Sequence, residues 1–334
     1  MVWDVDLLSG YRYWIAKPGL KLSDLTFWSR QAPCILARVE AERPDWILVY
    51  GYSSRMNWQV LRYAGRRRIP ILYASDTNIR IEGALGVTKG LIKSVVVGTF
   101  FRGVSRFLAP GNNNREYLLK HGAPADRITW SPFAIEVQRF HSSIQDRDRT
   151  YDFLWAGKFI RRKRCQDFLA ALAELERRGL QFRALLIGDG PLLESISSIA
   201  WPLVRSGKLD QRGFSNQSEM PRLLGSARSL VFTSESEPYG LIATEAAAAG
   251  CALVVADGIG CLDEKGSAQS GRNALAYPCG NVAELADAMH QLLADSTKRR
   301  SMQEASVLIA KDHDVSKAAG IIESVVLGNA LSSW

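Results

Sequence analysis

Short apolar runs of strand length alternate with helical patterns along most of the chain, and this alternation limits the possible folds more than any other feature. Such a rhythm is typical of βαβ units, which build parallel sheets with helices on both faces. The runs that we predict to be strands are 46–50, 71–74, 106–110, 127–130, 151–157, 184–188, 230–234 and 252–257. The sequence therefore predicts an α/β fold with two parallel sheets.

A polar stretch, H-S-S-I-Q-D-R-D-R-T at 141–150, interrupts the rhythm and has no periodicity. Because 334 residues suit two domains, we place the boundary in this stretch. One domain is predicted over 1–145 and the other over 146–334, whose last helix is expected to pack back on the first domain.

Two helices of the second domain are well marked by their ends. An apolar stripe from Phe168 to Leu175 stops before Gly179, a residue suited to a helix C-terminus. Asn281 and Glu284 have the spacing of a capping pair at the start of a later helix. Both patterns support the predicted alternation of strands and helices.

Composition excludes several other classes of protein. Hydrophobic residues make up 47% and charged residues 23% of the chain, as in an ordinary globular protein. The five cysteines form no C-x-x-C pair, so neither a zinc site nor a disulfide framework is indicated. No apolar run approaches the ~20 residues of a spanning helix. The start lacks a basic segment typical of a secretory signal, so a cytoplasmic location is expected.

Positive charge is concentrated in the first half of the chain. Residues 1–150 hold 22 Lys+Arg against 13 Asp+Glu, whereas the rest holds 20 against 21. Such a field favours an anionic partner, namely a membrane surface, a lipid phosphate or a nucleic acid. Solvated surface charge explains the same asymmetry. The segment 89–107 combines cations with apolar residues, and it reads either as a membrane-surface helix or as a core helix with a basic outer face.

The most informative segment for chemistry is T-S-E-S-E-P-Y-G-L-I-A-T-E-A-A-A-A-G, at 233–250. It predicts a buried strand, a turn at Pro238–Gly240, and a helix that runs to Gly250. Ligands of open α/β sheets bind beyond the carboxyl ends of strands. The N–H groups at the helix start can hold a phosphate without a metal.

Two carboxylates accompany this turn, Glu237 before it and Glu245 within the helix. If the intervening residues were helical, these positions would lie ~12 Å apart along the axis, which suits two ends of one ligand. Hydroxyl groups of a nucleotide sugar would satisfy both carboxylates. A capping glutamate and a surface glutamate are the structural alternative.

Two further strand ends carry residues suited to a diphosphate. In G-K-F-I-R-R-K-R-C, at 157–165, Lys158 and Lys163 could neutralise the phosphates of a leaving group. In I-G-D-G-P, at 187–191, a glycine turn lets backbone approach a ligand closely. Each pattern alone also describes an ordinary solvated helix start or connector.

Together these segments resemble the retaining glycosyltransferases of the GT-B fold that carry a Glu-x7-Glu motif, glycosyltransferase family 4, group 1. The resemblance rests on G-K-F-x-x-x-K, I-G-D-G-P, the R-G-F at 212–214, the two glutamates, and G-C-A-L-V-V-A-D, in family order. It implies two Rossmann-like doubly wound domains that face each other across a cleft and close to exclude water.

The resemblance also implies roles for individual residues. Glu237 would act at the reacting centre and Glu245 would accept from the ribose hydroxyls. The remaining donor-binding residues would be Gly157, Lys158, Lys163, Gly188, Gly190, Phe214, Tyr239, Gly240 and Leu241, with Phe214 next to the base. No metal and no cofactor besides the nucleotide diphosphate sugar are expected. Asp146-Arg147-Asp148 is a D-x-D in spelling only, because it lies in the predicted linker.

The first half resembles, less specifically, the acceptor domain of bacterial members. The similar segments are Trp3–Tyr11, Pro44–Tyr52 and the S-D-T-N turn at 75–78, which suggests Asp76 and Asn78 as acceptor-binding residues. Relatives often have a His-Asp pair where this chain has Ser75-Asp76. The usual first strand and glycine-rich loop do not occur before Trp3, so either the start is misplaced or the domain lacks its first βα unit.

The sequence therefore predicts a metal-independent hexosyltransferase that acts on a glycan, glycolipid or small molecule in bacterial envelope polysaccharide biosynthesis. It would bind a UDP or GDP sugar and no nucleic acid, in the cytoplasm, with peripheral contact to the inner face of the membrane through its basic half. A non-catalytic nucleotide-sugar binding or scaffold protein, and a nucleotide-sugar epimerase on the same fold, are the alternatives.

Overall fold

A computed structural model describes residues 4, 10–15, 26–28, 34–79, 87–141 and 146–328. The chain divides into two compact units. The C-terminal unit holds Pro132–Ala319 together with Asp4, and the N-terminal unit holds the described residues between Gly10 and Ser131 and from Gly320 onward. Most of the Trp3–Tyr11 segment lies outside the described residues.

The N-terminal unit contains a parallel sheet whose four described strands follow one another in chain order. These strands are β1 (Ile47–Tyr50), β2 (Ile71–Ala74), β3 (Arg106–Ala109) and β4 (Ile128–Trp130). The helices are α1 (Ile35–Glu42), α2 (Arg55–Arg67), α3 (Val87–Phe101) and α4 (Asn112–Lys120). Tyr73 of β2 is fully buried, and its ring meets those of Phe100, Phe101 and Phe107 edge to face. These contacts join the sheet to α3.

The C-terminal unit contains a six-stranded parallel sheet. Its strands are β5 (Tyr151–Lys158), β6 (Ala184–Asp189), β7 (Leu209–Arg212), β8 (Ala227–Phe232), β9 (Ala252–Ala256) and β10 (Ala274–Tyr277). Its helices are α5 (Val137–Phe140), α6 (Cys165–Arg177), α7 (Leu193–Arg205), α8 (Met220–Gly225), α9 (Leu241–Ala248), α10 (Val282–Ala294), α11 (Ser296–Lys311) and the start of α12 (Val315–Leu327). Further along α12, Val325 is buried with Leu72 and Leu108 of the N-terminal unit.

Strand order fixes the position of a crevice in this second sheet. The order is β10-β9-β8-β5-β6-β7, so the chain runs outward from β5 in one direction and outward from β8 in the other. This is the strand order of dinucleotide-binding folds, in which ligands bind at the carboxyl edge where the direction reverses. The loops after β5 and β8 therefore border the expected ligand crevice.

All eight predicted strands are present, and β7 and β10 were not predicted. The predicted helix C-terminus at Gly179 and the predicted helix start at Asn281 are confirmed. Gly179 takes a positive φ of 76° just after α6, and Asn281 Oδ1 accepts from the Glu284 N–H at 3.2 Å at the start of α10.

The crossing between the units lies at Pro132, upstream of the polar stretch where the sequence suggested a boundary. Backbone hydrogen bonds explain this position, because the N–H of Ile135 donates to the His313 carbonyl oxygen and the N–H of Val315 donates to the Ile135 carbonyl oxygen, both at 3.0 Å. Asp146, within the polar stretch, lies 3.0 Å from Arg299 Nη2 and accepts from Gln303 at 2.9 Å. Asp146 therefore anchors the described end of the polar stretch to the second unit.

Candidate functional site

The loops after β5 and β8 are joined by hydrogen bonds at the carboxyl edge of the sheet. A single turn of 3-10 helix, Arg161–Lys163, follows β5. The N–H of Glu235 donates to the Arg162 carbonyl oxygen at 2.8 Å. The buried hydroxyl of Thr233 donates to the Lys163 carbonyl oxygen at 2.8 Å and accepts from Trp155 Nε1 at 2.8 Å. These bonds hold the two loops of the crevice in a fixed relation.

Glu237, in the loop after β8, is the acidic residue that two cations of the loop after β5 approach. Its side chain is only 10% exposed. Lys163 Nζ lies 2.6 Å from Glu237 Oε1, and Arg162 Nη1 lies 3.1 Å from the same oxygen. The structure thus brings the predicted Glu237 and Lys163 together, and it adds Arg162, which the sequence analysis did not select.

The start of α9, Leu241, lies four residues beyond Glu237. Gly240 has a φ of 101°, and a Cβ at this position would lie 2.5 Å from the Phe232 ring, so both its backbone and its packing require glycine. Leu241 begins the helix and is 45% exposed. Helix geometry leaves the N–H of Leu241 without a partner four residues back, so it can receive an anion, whereas the N–H of Ala243 donates to the Gly240 carbonyl oxygen at 3.0 Å.

Tyr239 can contribute to this turn only through its backbone. Its side chain is buried, and its ring packs against those of Phe133 at 5.0 Å and His313 at 6.4 Å between centroids. A direct side-chain contact to a ligand, which the sequence left open, is therefore not supported in this conformation.

Glu245 lies in the second turn of α9 and is half-buried. Burial raises the pKa of its carboxyl group to about 7, and the nearby charge of Arg139 on α5 opposes that shift. Arg139 Nη2 also donates to Gln217 Oε1 at 2.7 Å. Since residues 237–240 are not helical, the ~12 Å helical spacing of the two glutamates does not apply.

The glycines predicted to approach a ligand also have a packing role. A Cβ at Gly188 would lie 2.2 Å from the Gly157 carbonyl oxygen, and one at Gly190 would lie 2.8 Å from that of Phe159. Glycine is therefore required at both positions, at Gly188 because β5 and β6 lie close together and at Gly190 because the Phe159 backbone lies close to the turn. Lys158, at the end of β5, is exposed and stands in register with Asp189. Phe214, beyond β7, is 40% exposed.

The two predicted acceptor-binding residues lie in the N-terminal unit, just after β2. Asp76 is exposed, whereas Asn78 is 2% exposed. Asn114 holds this turn by donating to the carbonyl oxygens of Ser75 and Thr77. Asp76 is thus available to a ligand, while Asn78 is enclosed in its own turn.

Within the described part of the chain, no group of acidic, histidine or cysteine side chains has the arrangement of a metal site. The Asp146 side chain is engaged with Arg299 and Gln303, and Asp148 lies 3.7 Å from Arg147. Among the described helices, none is long and apolar enough to cross a membrane.

A family model provides the strongest comparison with known proteins. The model described as glycosyl transferases group 1 matches residues 136–307, just over half of the 334-residue chain. That match covers β5 to β10 and both glutamates of the candidate site.

Curated relatives agree with this match. Alpha-D-kanosaminyltransferase of Streptomyces kanamyceticus is 27% identical over 181 residues, which are 52% of this chain and 46% of that protein. D-inositol 3-phosphate glycosyltransferase of Pseudarthrobacter chlorophenolicus is 28% identical over 234 residues, 66% of this chain and 54% of that one. The chain spans about half the length of the curated relatives it matches.

Solved structures extend the similarity to both units. HepE of Anabaena in complex with UDP has a TM-score of 0.70 at 18% identity, covering 88% of this chain and 82% of that one. The apo form of the lipopolysaccharide outer core galactosyltransferase WaaB has a TM-score of 0.65 at 15% identity, covering 88% and 78%. At such identities the likeness concerns the fold alone. The chain belongs to the glycosyl transferases group 1 family, and its two parallel-sheet α/β units have the GT-B fold that the sequence predicted.

Proposed function

We propose that the chain transfers a glycosyl group, with retention of anomeric configuration, from a nucleotide diphosphate sugar to an acceptor, as a member of glycosyltransferase family 4. One observation carries this proposal: the contact of Glu237 with Lys163 and Arg162. That contact lies at the carboxyl edge where β5 and β8 adjoin, the usual ligand position of this sheet order. The presence of UDP in the HepE structure supports a nucleotide diphosphate as the bound part of the donor.

The diphosphate would be held by cations and backbone N–H groups. Lys163 is within reach of the crevice at 19% side-chain exposure, and Lys158 is exposed at the end of β5. The N–H groups of Gly240 and Leu241 begin α9, whose dipole favours an anion at that end. Together these groups would stabilise the charge that develops on the diphosphate as it leaves.

Glu237 would act on the transferred sugar, because its carboxylate lies 2.6 Å from the ammonium of Lys163, a proposed ligand of the diphosphate. Its partners keep it oriented, since Lys163 and Arg162 both approach Oε1. Glu245 would accept from the ribose hydroxyls, and the exposed ring of Phe214 would stack against the base. Gly157, Gly188 and Gly190 would contribute by allowing the loops to pack closely beneath the donor.

The reaction is proposed to need no metal. Two lysines and the helix start would provide the positive charge that a divalent cation provides in other transferases.

Asp76 is proposed to contact the acceptor, a glycan, glycolipid or small molecule of envelope polysaccharide biosynthesis. An anionic membrane surface is the proposed docking partner of the basic half, for which the exposed apolar face of α3 provides support.

The test is a calorimetric panel of UDP, GDP and ADP with and without EDTA, followed by turnover of the matching sugars with a panel of acceptors. We expect one nucleotide diphosphate to bind equally well with EDTA and its sugar to be consumed with release of that nucleotide. Binding without release would support a scaffold protein, and conversion of the sugar without release would support an epimerase. If none of the three nucleotides binds, the proposal is wrong.

A further inference from the structure

Arg162 contacts three consecutive residues of the loop that carries Glu237. Its carbonyl oxygen accepts from the Glu235 N–H at 2.8 Å. Its guanidinium Nη1 donates to the Ser236 carbonyl oxygen at 2.5 Å and lies 3.1 Å from Glu237 Oε1. A single residue therefore ties both the backbone and the carboxylate of this loop to the turn after β5.

Arg162 and Lys163 approach the same carboxylate oxygen but differ in what they can do for it. The lysine ammonium is a compact charge on a flexible stem, whereas the guanidinium presents several N–H donors in a rigid plane. Arg162 Nη1 donates to a backbone carbonyl oxygen and at the same time lies within ion-pair distance of the carboxylate. The second neighbour of the Lys163 ammonium is the Phe232 ring, whose centroid lies 5.7 Å from Nζ. The three N–H donors of the ammonium allow it to donate to an incoming phosphate while it stays beside Glu237.

We infer that Arg162 is a positioning residue, which holds the Glu237 carboxylate and the 235–237 loop in place while Lys163 engages the diphosphate of the donor. The inference rests on the proposed function, because it takes Glu237 to act at the reacting centre. Arg162 acts through Glu237 rather than on the sugar. Glu237 is nearly buried, so removal of Arg162 would leave its carboxylate with Lys163 as the remaining cation and without the contact that fixes its direction.

The test compares Arg162→Ala and Arg162→Lys with Arg161→Ala, a matched control in the same turn with an exposed arginine. For Arg162→Ala we expect kcat to fall by about 100-fold, the typical cost of a small misplacement of a reacting group. The Kd of the nucleotide diphosphate should stay within roughly threefold, because uniform binding is not removed. Arg161→Ala should behave as the wild type.

Rescue of Arg162→Ala by free guanidinium distinguishes a positioning role of Arg162 from a merely structural one. Arg162 has a side chain that is 45% exposed, so a free guanidinium ion can reach the space it leaves. We expect millimolar guanidinium to raise the turnover of Arg162→Ala but not of the wild type or of Arg161→Ala. Arg162→Lys should regain part of the lost kcat through its charge.

Several results would overturn the inference. Unchanged kcat in Arg162→Ala would do so while leaving the proposed function intact. A weaker Kd with unchanged kcat would make Arg162 a donor ligand instead, and a loss of thermal stability without guanidinium rescue would make it structural. A wild-type chain that releases no nucleotide from any donor would contradict the proposed function itself, and this inference with it.

Discussion

Glu237 illustrates how single residues set the character of the site. A carboxylate with a side chain that is 10% exposed loses much of its hydration, and two cations within 3.1 Å compensate for that loss. Lys163 in turn is held by the Phe232 ring and by Glu237. The charge of Glu237 is therefore compensated before any ligand binds, and a diphosphate must share a cation that already has a partner.

Replacing the central carboxylate tests its proposed role. We expect Glu237→Gln to lower turnover by about 10²- to 10⁴-fold, because an amide of the same shape lacks the charge and basicity that act at the reacting centre. Donor affinity, measured by calorimetry, should change little. Glu235→Gln, two residues away and exposed, is the control. Near-normal turnover of Glu237→Gln would refute the assignment.

Lys163 has a matched counterpart elsewhere in the C-terminal unit. Lys163 and Lys208 each have a side chain that is 19% exposed, one carboxylate partner and an aromatic ring within 5.7 Å of Nζ. Lys208 precedes β7 and so lies at the opposite edge of the sheet.

We expect Lys163→Ala to weaken nucleotide diphosphate binding by about 10- to 100-fold, the value of a charge-assisted hydrogen bond. Calorimetry on Lys208→Ala should give the wild-type Kd. If the two substitutions changed the Kd of the nucleotide diphosphate equally, Lys163 would not be a ligand of the diphosphate.

Glu245 should make stability depend on pH. Burial raises the pKa of its carboxyl from 4.5 to about 7, so the folded chain binds a proton that the unfolded chain releases in that range. The free energy of unfolding should therefore fall as pH rises from about 4.5 to 7, by up to about 3 kcal/mol from this group.

In Glu245→Gln this pH-dependent loss should disappear. Chemical denaturation at pH 5 and pH 8 should show the variant gaining stability relative to the wild type at the higher pH. A constant difference across this range would contradict the raised pKa.

At the scale of elements, strand ends and glycine turns decide where the loops lie. Gly188 lies near the end of β6, directly beside Gly157 of β5, and the two backbones approach too closely for a side chain. The turn at Gly190, just after β6, likewise leaves room for the backbone of the buried residue Phe159. Packing beneath the site therefore requires glycine at Gly188 whether or not a ligand binds.

Gly188→Ala should therefore destabilise the chain. Its Cβ would lie 2.2 Å from the Gly157 carbonyl oxygen, and relief requires β5 and β6 to shift. We expect a loss of about 3 kcal/mol, at the upper end of overpacking effects, measured by chemical denaturation. Gly213→Ala is the control, because a Cβ at that position would have no other atom within 4 Å. A neutral Gly188→Ala would contradict the packing account.

Most elements could be predicted because apolar runs and helix caps are local signals. β7 escaped prediction because L-D-Q-R is mostly polar, and β10 because A-L-A-Y contains two alanines, which have low β-propensity. Both lie at the edges of the sheet, where burial is incomplete and the apolar signal is weak. The unit division at Pro132 depends on hydrogen bonds between residues far apart in sequence, which no local pattern reveals.

The sequence selected Glu237 and Lys163, which the structure brings into contact, but it did not select Arg162. Five cations lie within 158–164, and sequence does not tell where each side chain points. In the fold, Arg162 and Lys163 reach Glu237 while Arg164 binds Asp167 at 2.6 Å. The choice among neighbouring cations depends on the geometry of one 3-10 turn.

At the scale of the whole molecule, charge is divided between the halves of the chain. The positive excess belongs to residues 1–150, and α3 in that half exposes a row of apolar side chains. Leu91, Ile92 and Val95 are each more than 60% exposed, while Val97 and Phe100 of the same helix are buried. This apolar face within the basic half is the observation on which the proposed membrane surface rests.

Vesicle flotation tests this surface. We expect the wild type to bind vesicles that contain anionic phospholipid and not vesicles of neutral phosphatidylcholine, because apolar insertion and electrostatic attraction are both needed. Ile92→Asp should reduce binding, whereas Leu308→Asp, at a similarly exposed position of α11, should not. Equal binding to both vesicle types, or equal effects of the two substitutions, would refute the membrane surface.

Neighbouring strands β5 and β8 are separated along the chain by β6, β7 and their helices. A backbone cut in the loop at 213–219 would consequently leave the cations Arg162 and Lys163 on one fragment and both glutamates on the other. Neither piece alone would contain a working set of groups. Recovery of turnover on mixing two such inactive fragments would then report directly that the central pair of strands had reassembled.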